Sequence, residues 1–183
     1  VEWNKVMNLT GSQSMMSNEK HFVTSLAIIK AVKMEEIHSV IDIGTGAGFP
    51  GIPLKIAFPH LKVVLLDLTE ENPLSGDSYE ELGLEEVETL HGRAEDYAKR
   101  KEYREQFDLC VSRAVANLAT LSEYCIPYIC VGGSFVSYKS GNVEEELNGS
   151  KKAIRLLGGE LSGVVKFQLP GTEIGRSFVQ IKK

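Results

Sequence analysis

The chain has 183 residues, of which 43% are hydrophobic and 25% are charged, and its formal net charge is −5 at pH 7. This composition is typical of a single globular domain. It excludes a general attraction to nucleic acid, so an RNA substrate requires a local basic surface and DNA is not an expected partner. No apolar stretch approaches the roughly 20 residues of a membrane span, and no charged-then-apolar leader opens the sequence, so we expect a cytoplasmic protein. The three cysteines, Cys110, Cys125 and Cys130, lack metal-site spacing and are expected to be reduced and buried.

Two helices are predicted before the first strand. Residues 1–10 predict the end of one helix, and a second begins near Glu19, where Ser17 or Asn18 provides an N-cap. Because both helices precede the strands, we expect them to cover a crevice rather than build the sheet.

From residue 39 onward, apolar runs alternate with helical stretches, a pattern typical of a parallel sheet with crossover helices. Strands are predicted over residues 39–43, 62–67, 87–91, 107–112 and 134–139, and helices over 50–58, part of 78–82, 94–105, 118–129 and 143–157. Two further strands, 161–168 and 177–182, are separated only by a loop and therefore form an antiparallel hairpin at one edge. The stretch 68–78 is predicted to be irregular. The whole chain, 1–183, is predicted to be one domain, with a helical cap at 1–36 and an α/β core at 37–183.

The stretch SVIDIGTGAGFPG, at residues 39–51, organises the chain. We predict that a buried strand ends there, turns through Gly44, Gly46 and Gly48, and leads into a helix that begins near Pro50. Such a short reversal needs positive φ or close backbone approach, which glycine permits, and proline suits the first turn of a helix. A ligand is expected in the crevice at the carboxyl end of this strand.

Two ligand classes use such a turn. Gly46, Gly48 and Gly51 formally match the dinucleotide fingerprint GxGxxG. In a dinucleotide site, however, the first glycine directly follows the strand, and here that glycine is Gly44. Asp42 would also put a carboxylate beside the ligand, which would repel a diphosphate and suit the cationic amino-acid end of S-adenosylmethionine. The order of acid and glycines is that of Rossmann-like methyltransferases, and a tight connection without a ligand is the alternative.

Further candidate site residues follow the other strands. Asp67 ends the second strand and is expected to accept hydrogen bonds from ribose hydroxyls. Ala94 and Glu95 follow the third strand and either read an adenine edge or, through Glu95 and Asp96, cap the next helix at its positive end. Arg113 ends the fourth strand and is expected to contact the cofactor carboxylate or an RNA phosphate, with a salt bridge to a neighbouring acid as the alternative. Weaker candidates for substrate contact are Lys20, His21 and Lys139.

Long strings of the sequence match one known family. They are IDIGTGAGFPGIPLKIAFP at residues 41–59, HGRAEDYA from His91, SRAVANLATLSEYCIP from Ser112 and KKAIRLLGGE from Lys151. With these strings the chain resembles the bacterial guanine-N7 methyltransferases of small-subunit ribosomal RNA, formerly called glucose-inhibited division protein B.

The resemblance implies a Rossmann-like class I methyltransferase with a mostly parallel seven-stranded sheet, a C-terminal antiparallel hairpin and N-terminal helices. It implies S-adenosylmethionine as the cofactor and N7 of one guanine in the 530 loop of 16S ribosomal RNA, or of the small subunit, as the target. Carried over by position, Gly44 and Phe49 match cofactor-contacting residues, Ala94 and Glu95 an adenine-side pair, and Arg113 a crevice arginine.

The chemistry implied by the resemblance needs no general base. Guanine N7 has a free lone pair and no proton, so in-line positioning and exclusion of water suffice. Arg113 is the catalytic candidate, and Asp42, Gly46, Gly48 and Asp67 complete the predicted cofactor site. We expect a monomer, because nothing in the sequence indicates an obligate interface.

The sequence departs from the family at two places. Leu68 to Asn72 replace a basic helix start, and Thr24 stands where the family commonly has an acid. Three other functions are therefore kept as alternatives. They are a methyltransferase of the same fold acting on a small molecule or protein, a non-catalytic RNA-binding assembly factor, and a nicotinamide-dependent oxidoreductase.

Overall fold

The computed structural model of the chain describes residues 15–68, 79, 81–141 and 143–183. The helix predicted at residues 1–10 and the irregular segment beyond Leu68 lie outside the described residues. Of the helix predicted within 78–82, Tyr79 and Glu81 are helical and Leu82 lies in a turn, while residues 78 and 80 lie outside the described residues.

In the described part of the chain, seven strands form one sheet. Their bounds are Ser39–Ile43 (β1), Lys62–Asp67 (β2), Val87–His91 (β3), Phe107–Arg113 (β4), Ile129–Ser140 (β5), Glu160–Gln168 (β6) and Gly175–Lys182 (β7). Their order across the sheet is β3-β2-β1-β4-β5-β7-β6. The pairs from β3 to β5 are parallel, whereas β7 runs antiparallel to both β5 and β6. The predicted C-terminal hairpin is therefore confirmed.

Helices flank the sheet. Their bounds are Met15–Leu26 (α1), Gly51–Ala57 (α2), Ala94–Tyr97 (α3), Leu118–Cys125 (α4) and Glu144–Leu156 (α5), with short 3-10 turns at Ala27–Lys30, Met34–Glu36 and Ile126–Tyr128. The predicted N-cap at Ser17 or Asn18 is wrong, since α1 already spans both residues. No helix among the described residues has both the length and the apolar character needed to cross a membrane.

The central strands are apolar on both faces because helices cover both faces. In β1, Val40 packs in a core with Leu54 of α2, whereas Ile41 packs in a second core with Leu118 of α4 and Ile154 of α5. A sheet buried on two sides favours continuous apolar runs over alternation, which is why the central strands are visible in the sequence.

Most strand predictions are confirmed, and the first three agree with the structure to the residue. β4 continues one residue further, to Arg113. β5 begins at Ile129 instead of residue 134, because Ile129 already pairs with Phe107 before the register shifts. Gly132, with a φ of +89°, lies in this irregular part of β5. The sequence pattern therefore does not indicate a strand there.

Two helix predictions are too long. The helix predicted over 94–105 ends at Tyr97, and the chain continues in turns to Glu105, whose φ is +57° and whose N–H donates to Pro127 O at 2.9 Å. The helix predicted over 118–129 ends at Cys125, and a 3-10 turn containing Pro127 follows. Proline has no N–H to continue an α-helix, which explains this second ending. The helices predicted over 50–58 and 143–157 are confirmed within one residue at each end.

The sheet order creates a switch point between β1 and β4. From β1 the chain builds outward through β2 and β3 and then returns to β4 on the other side of β1. In open α/β sheets, ligands bind at the carboxyl ends of the strands at such a reversal. Gly44 follows β1 at this edge, and Arg113 ends β4 there.

Helix α1 lies over this edge of the sheet. The buried Tyr138 hydroxyl of β5 donates a hydrogen bond to Ser25 O of α1 at 2.9 Å. The ring centroid of Phe22 lies 5.4 Å from that of Phe49, in an edge-on arrangement. The described part of the leading helix therefore packs at the edge of the sheet where the crevice is predicted, and its role as a cover stays a prediction.

Candidate functional site

The glycine turn after β1 has the predicted backbone. Gly44, Gly46 and Gly48 have φ values of +71°, +53° and +89°, all in the region that L side chains rarely adopt. A Cβ added at Gly44 would collide with Val115, and one at Gly48 would lie 2.7 Å from Ile52 Cγ1. A Cβ at Gly46 would meet no atom within 4 Å. Protein atoms therefore close the turn on two sides and leave open space above Gly46.

Asp42 holds this turn from within. The side chain is fully buried, and Oδ2 accepts hydrogen bonds from Thr45 Oγ1 and Gly51 N–H, each at 2.8 Å. Burial raises the pKa of Asp42 to about 6, although both hydrogen bonds and the charge of Arg113 act in the opposite direction. The carboxylate thus fixes the loop to the start of α2, which the sequence did not suggest.

The predicted contact of Asp42 with a cofactor depends on its other oxygen. Oδ1 is buried and has no hydrogen-bond partner among the described residues. A direct contact with a cationic group stays a prediction, and Oδ1 is the atom that would make it.

Asp67 ends β2 beside the same turn. Its Oδ2 accepts the Gly46 N–H at 2.7 Å, so this carboxylate lies against the open glycine. The Asp67 backbone carbonyl accepts the Gly92 N–H at 2.9 Å, which brings the segment after β3 to the same place. The predicted contact with ribose hydroxyls stays a prediction, in a position that the structure places next to the open space.

Ala94 and Glu95 form the first turn of the short helix α3, close to this segment. Ala94 O accepts a hydrogen bond from Tyr128 Oη at 2.6 Å, which fixes the start of the helix to the core. The Glu95 side chain is exposed. An adenine contact by this pair stays a prediction.

Arg113 and Phe49 meet on the β4 side of the turn. The guanidinium carbon of Arg113 lies 5.3 Å from the centroid of the Phe49 ring, and that ring is only 6% exposed. His21 of α1 lies against the same ring, with centroids 5.6 Å apart. The structure therefore brings together three residues that the sequence had suggested separately.

The Arg113 side chain is partly buried at the wall of a cavity. Burial lowers the pKa of Arg113, while Asp42 and Tyr138 act against that shift. Among the described residues, Arg113 forms no salt bridge within 4.0 Å, so the alternative that it serves a structural ion pair is not supported there.

A cavity of about 430 Å³ opens beside Arg113. Its lining includes the polar and charged side chains of His21, Arg113, Lys139, Glu146, Arg176 and Ser177. Burial lowers the pKa of His21, and the nearby charges of Arg113 and Arg176 lower it further, which favours a neutral imidazole at pH 7. Arg113, Lys139 and Arg176 therefore bring three cations to one cavity in a chain with a net charge of −5.

Lys139 joins two elements at the cavity wall. Its Nζ lies 2.9 Å from Ala116 O and 2.9 Å from Glu146 Oε2, and its side chain is 12% exposed. Sequence reasoning had placed Lys139 among the weaker candidates and had missed Glu146, Arg176 and Ser177. No motif marks these three residues, because they reach the cavity from α5 and β7.

The described residues show no arrangement for metal chemistry. No group of three or more His, Cys, Asp or Glu side chains among them is close enough to hold a metal ion. Cys110 and Cys125 are free and buried, as predicted, whereas Cys130 is free but only half-buried. The candidate site thus consists of a glycine turn held by Asp42 and Asp67 and of a cavity lined by three cationic side chains.

Comparison with known proteins gives the same family from sequence. The model of the family described as rRNA small subunit methyltransferase G (GidB) matches residues 1–174. A protein named ribosomal RNA small subunit methyltransferase G from Clostridium tetani is 46% identical over 184 residues, covering 100% of this chain and 77% of that protein. Its namesake from Acetivibrio thermocellus is 45% identical over 186 residues, covering 100% of this chain and 75% of that protein.

Solved structures show the fold. The S-adenosylmethionine-dependent methyltransferase SibL matches with a TM-score of 0.62 at 17% identity, covering 87% of this chain and 54% of SibL. A putative RNA methyltransferase, PH1948 from Pyrococcus horikoshii, matches with a TM-score of 0.59 at 14% identity, covering 91% of this chain and 82% of that protein. The predicted Rossmann-like methyltransferase fold is confirmed.

Proposed function

The chain belongs to the rRNA small subunit methyltransferase G family, and from that premise we propose that it methylates N7 of a guanine in the 530 loop of 16S ribosomal RNA, with S-adenosylmethionine as the donor. The observation that carries the proposal is the cavity lined by Arg113, Lys139 and Arg176. It supplies the local cationic surface that an RNA substrate requires and that the net charge of −5 did not suggest.

The glycine turn fits the donor. The open space above Gly46 leaves room for a ligand to approach the backbone, and Asp67 lies against that glycine in a position suited to ribose hydroxyls. The unpartnered Oδ1 of Asp42 suits a cationic group and not a diphosphate. When bound, S-adenosylmethionine supplies a methyl group on a sulfonium, which any unprotonated nitrogen lone pair can attack.

The chemistry of the methyl acceptor explains why the site needs no general base. Guanine N7 carries no proton, so the reaction needs no base, and the roles left to the protein are orientation and exclusion of water. Phe49 and α1 cover the crevice and keep water out, with His21 against the Phe49 ring. Arg113 lines the cavity and lies over the Phe49 ring, and its guanidinium can bind the donor carboxylate or an RNA phosphate in a bidentate contact.

The acceptor base is expected in a loop and not in a duplex. The major groove of an A-form helix is deep and narrow, and the N7 edge of a paired guanine faces into it. The cavity admits a base only when the base is unstacked and turned toward the protein. A loop guanine meets this requirement at lower cost than a paired one.

The test is methyl transfer to small ribosomal subunits from cells that lack the enzyme. Subunits and naked 16S RNA are incubated with the protein and labelled S-adenosylmethionine, and the modified base is located by chain cleavage specific for N7-methylguanine. We expect label in one guanine of the 530 loop. Label in another base, or transfer only to a small molecule or protein, contradicts the proposal. RNA binding without donor binding indicates an assembly factor.

A further inference from the structure

We propose that Glu146 reads the N1–H and N2–H₂ donors of the target guanine and thereby sets the base specificity of the cavity. The inference rests on the proposed function and adds a specificity-determining residue to it. It stands on the position of Glu146, on its fixed orientation and on an unpartnered hydroxyl at Ser177.

Glu146 is the acid among the described side chains that line the cavity. Helix α5 begins at Glu144, directly after β5, so its first turn lies at the carboxyl edge of the sheet. Glu145, the next residue on that turn, is exposed and does not line the cavity. An acid beside three cations would cancel part of their attraction for RNA, so its place there calls for a ligand that donates hydrogen bonds.

Lys139 fixes the carboxylate without using its full capacity. Oε2 of Glu146 is buried against Lys139 Nζ at 2.9 Å, while 37% of the Glu146 side chain stays exposed on other atoms. An ionised carboxylate has about four acceptor positions, and the ion pair with Lys139 involves Oε2 alone. The remaining positions, on the Oε1 side, can accept from a base in the cavity.

Guanine is the base that suits this acceptor. It presents two neighbouring donors, N1–H and N2–H₂, to a carboxylate, whereas adenine and cytosine present a lone pair at the corresponding ring nitrogen and would be repelled. Uracil has one ring N–H between two carbonyls and lacks the second donor. A carboxylate at this edge therefore distinguishes guanine from each of the other bases.

Ser177 supplies a donor for the next position on the guanine edge. Its hydroxyl is buried, lines the cavity and has no partner among the described residues, and its residue is 2% exposed. Ser177 pairs with Lys139 across β7 and β5, which places both side chains on the same face of the sheet. A hydroxyl donating to guanine O6 beside a carboxylate accepting from N1–H and N2–H₂ reads three consecutive positions.

The same contact acts on the rate as well as on recognition. Methylation at N7 forms a bond from the nitrogen lone pair to the methyl carbon while the carbon–sulfur bond breaks, and the purine becomes cationic. The charge makes N1–H and N2–H₂ stronger donors, so the Glu146 carboxylate binds the transition state more tightly than the neutral base. Loss of this carboxylate should therefore lower kcat as well as weaken substrate binding.

The test combines a change in the enzyme with a change in the base. Glu146→Gln is compared with the wild type and with Glu145→Gln, which removes the same charge one residue away. Each protein acts on reconstituted small subunits that carry either guanosine or inosine at the target position, since inosine lacks only the N2 amino group. We expect the wild type to lose about tenfold in kcat/KM on inosine.

The outcomes separate the inference from the proposed function. Glu146→Gln should lower kcat/KM on guanosine about ten- to a hundredfold and bring the guanosine-to-inosine ratio close to one, while Glu145→Gln keeps the wild-type values. Ser177→Ala should slow both substrates equally, because both keep O6. A wild-type ratio in Glu146→Gln overturns the inference. No transfer to guanosine by the wild type overturns the proposed function first.

A calorimetric control addresses folding. Glu146→Gln should bind S-adenosylhomocysteine with the wild-type affinity, since Glu146 faces the cavity and not the glycine turn. If Glu146→Gln loses donor binding together with activity, that variant has lost its structure. The guanosine-to-inosine ratio of Ser177→Ala then tests the proposed arrangement. An altered guanosine-to-inosine ratio in Ser177→Ala would overturn the arrangement.

Discussion

Replacing Gly46 with alanine adds one methyl group to the turn glycine whose Cβ direction is open. The added carbon meets no protein atom within 4 Å, so any loss of function comes from the ligand or from the backbone. The backbone hydrogen bond from Gly46 N–H to Asp67 Oδ2, 2.7 Å long, is unaffected by the side chain. The variant therefore tests whether a donor occupies the space above Gly46.

The expected effect of Gly46→Ala has two parts, a loss of stability and a loss of ligand affinity. A φ of +53° costs an L residue about 1–2 kcal/mol, which lowers the free energy of unfolding by that amount. If the donor lies above Gly46, the methyl group overpacks the bound state by a further 1–3 kcal/mol, roughly, which corresponds to about 5- to 150-fold weaker binding. The second part appears only in titrations with the ligand.

Gly158→Ala is the matched control. Gly158 follows α5, has a φ of +81°, and a Cβ there also meets nothing within 4 Å. The free energy of unfolding of both variants is measured in urea. The affinity of the folded variants for S-adenosylhomocysteine is measured separately by calorimetry. Equal losses of stability with weaker binding in Gly46→Ala alone support the site. The site is refuted if Gly46→Ala binds S-adenosylhomocysteine with unchanged affinity, or if both variants lose the same amount of affinity.

Three further predictions concern residues around the turn. Arg113→Ala should lower kcat/KM for subunit methylation about a hundredfold, from loss of roughly 3 kcal/mol of charge-assisted contact, with unfolding unchanged; wild-type activity would remove its catalytic role. Burial raises the pKa of Asp42 from 3.8 to about 6 near the charges of Arg113 and Asp67, so ionisation destabilises the fold as pH rises through that window. Asp42→Asn should then remove about 3 kcal/mol of the decline in unfolding free energy between pH 4 and 7, measured in urea, and parallel profiles for the two proteins would contradict this. Tyr138→Phe removes the donor to Ser25 O and should cost about 1–3 kcal/mol in urea unfolding and accelerate amide exchange in α1; unchanged exchange would show that the contact does not hold the helix.

The backbone of the site was predictable because local rules determine it. β1 and β2 are buried on both faces, so most of their residues are apolar, and the glycines between β1 and α2 are required by positive φ. The same rules failed for α3, where the turns after Tyr97 are set by a contact between Glu105 and the chain around Pro127. That contact joins residues far apart in sequence, and no local pattern records it.

The orientation of Asp42 could not be read from its position in the motif. The sequence places an acid before the glycines, but either oxygen can point to the loop or to the ligand. In the structure, the N–H of Gly51 and the hydroxyl of Thr45 both donate to Oδ2. These donors were present in the sequence, and only the path of the turn shows that they converge on one oxygen.

The cavity was missed because its wall depends on the order of β7 and β6. The hairpin was predicted, but the sequence does not state which of its strands pairs with β5. Since β7 takes that place, Ser177 lies beside Lys139 and Arg176 beside Ser140. With the opposite order, the same residues would lie one strand further from the switch point.

The position of these charges also determines how they act on RNA. At physiological ionic strength, screening limits charge interactions in water to about 8 Å, so the three cations of the cavity attract RNA only at short range. They act at contact, where the partial burial of Arg113 strengthens its attraction for an anion. Discrimination of the target must therefore arise after encounter, inside the cavity. A carboxylate such as that of Glu146 can act there, because it contributes little to long-range attraction and much to the choice between bases.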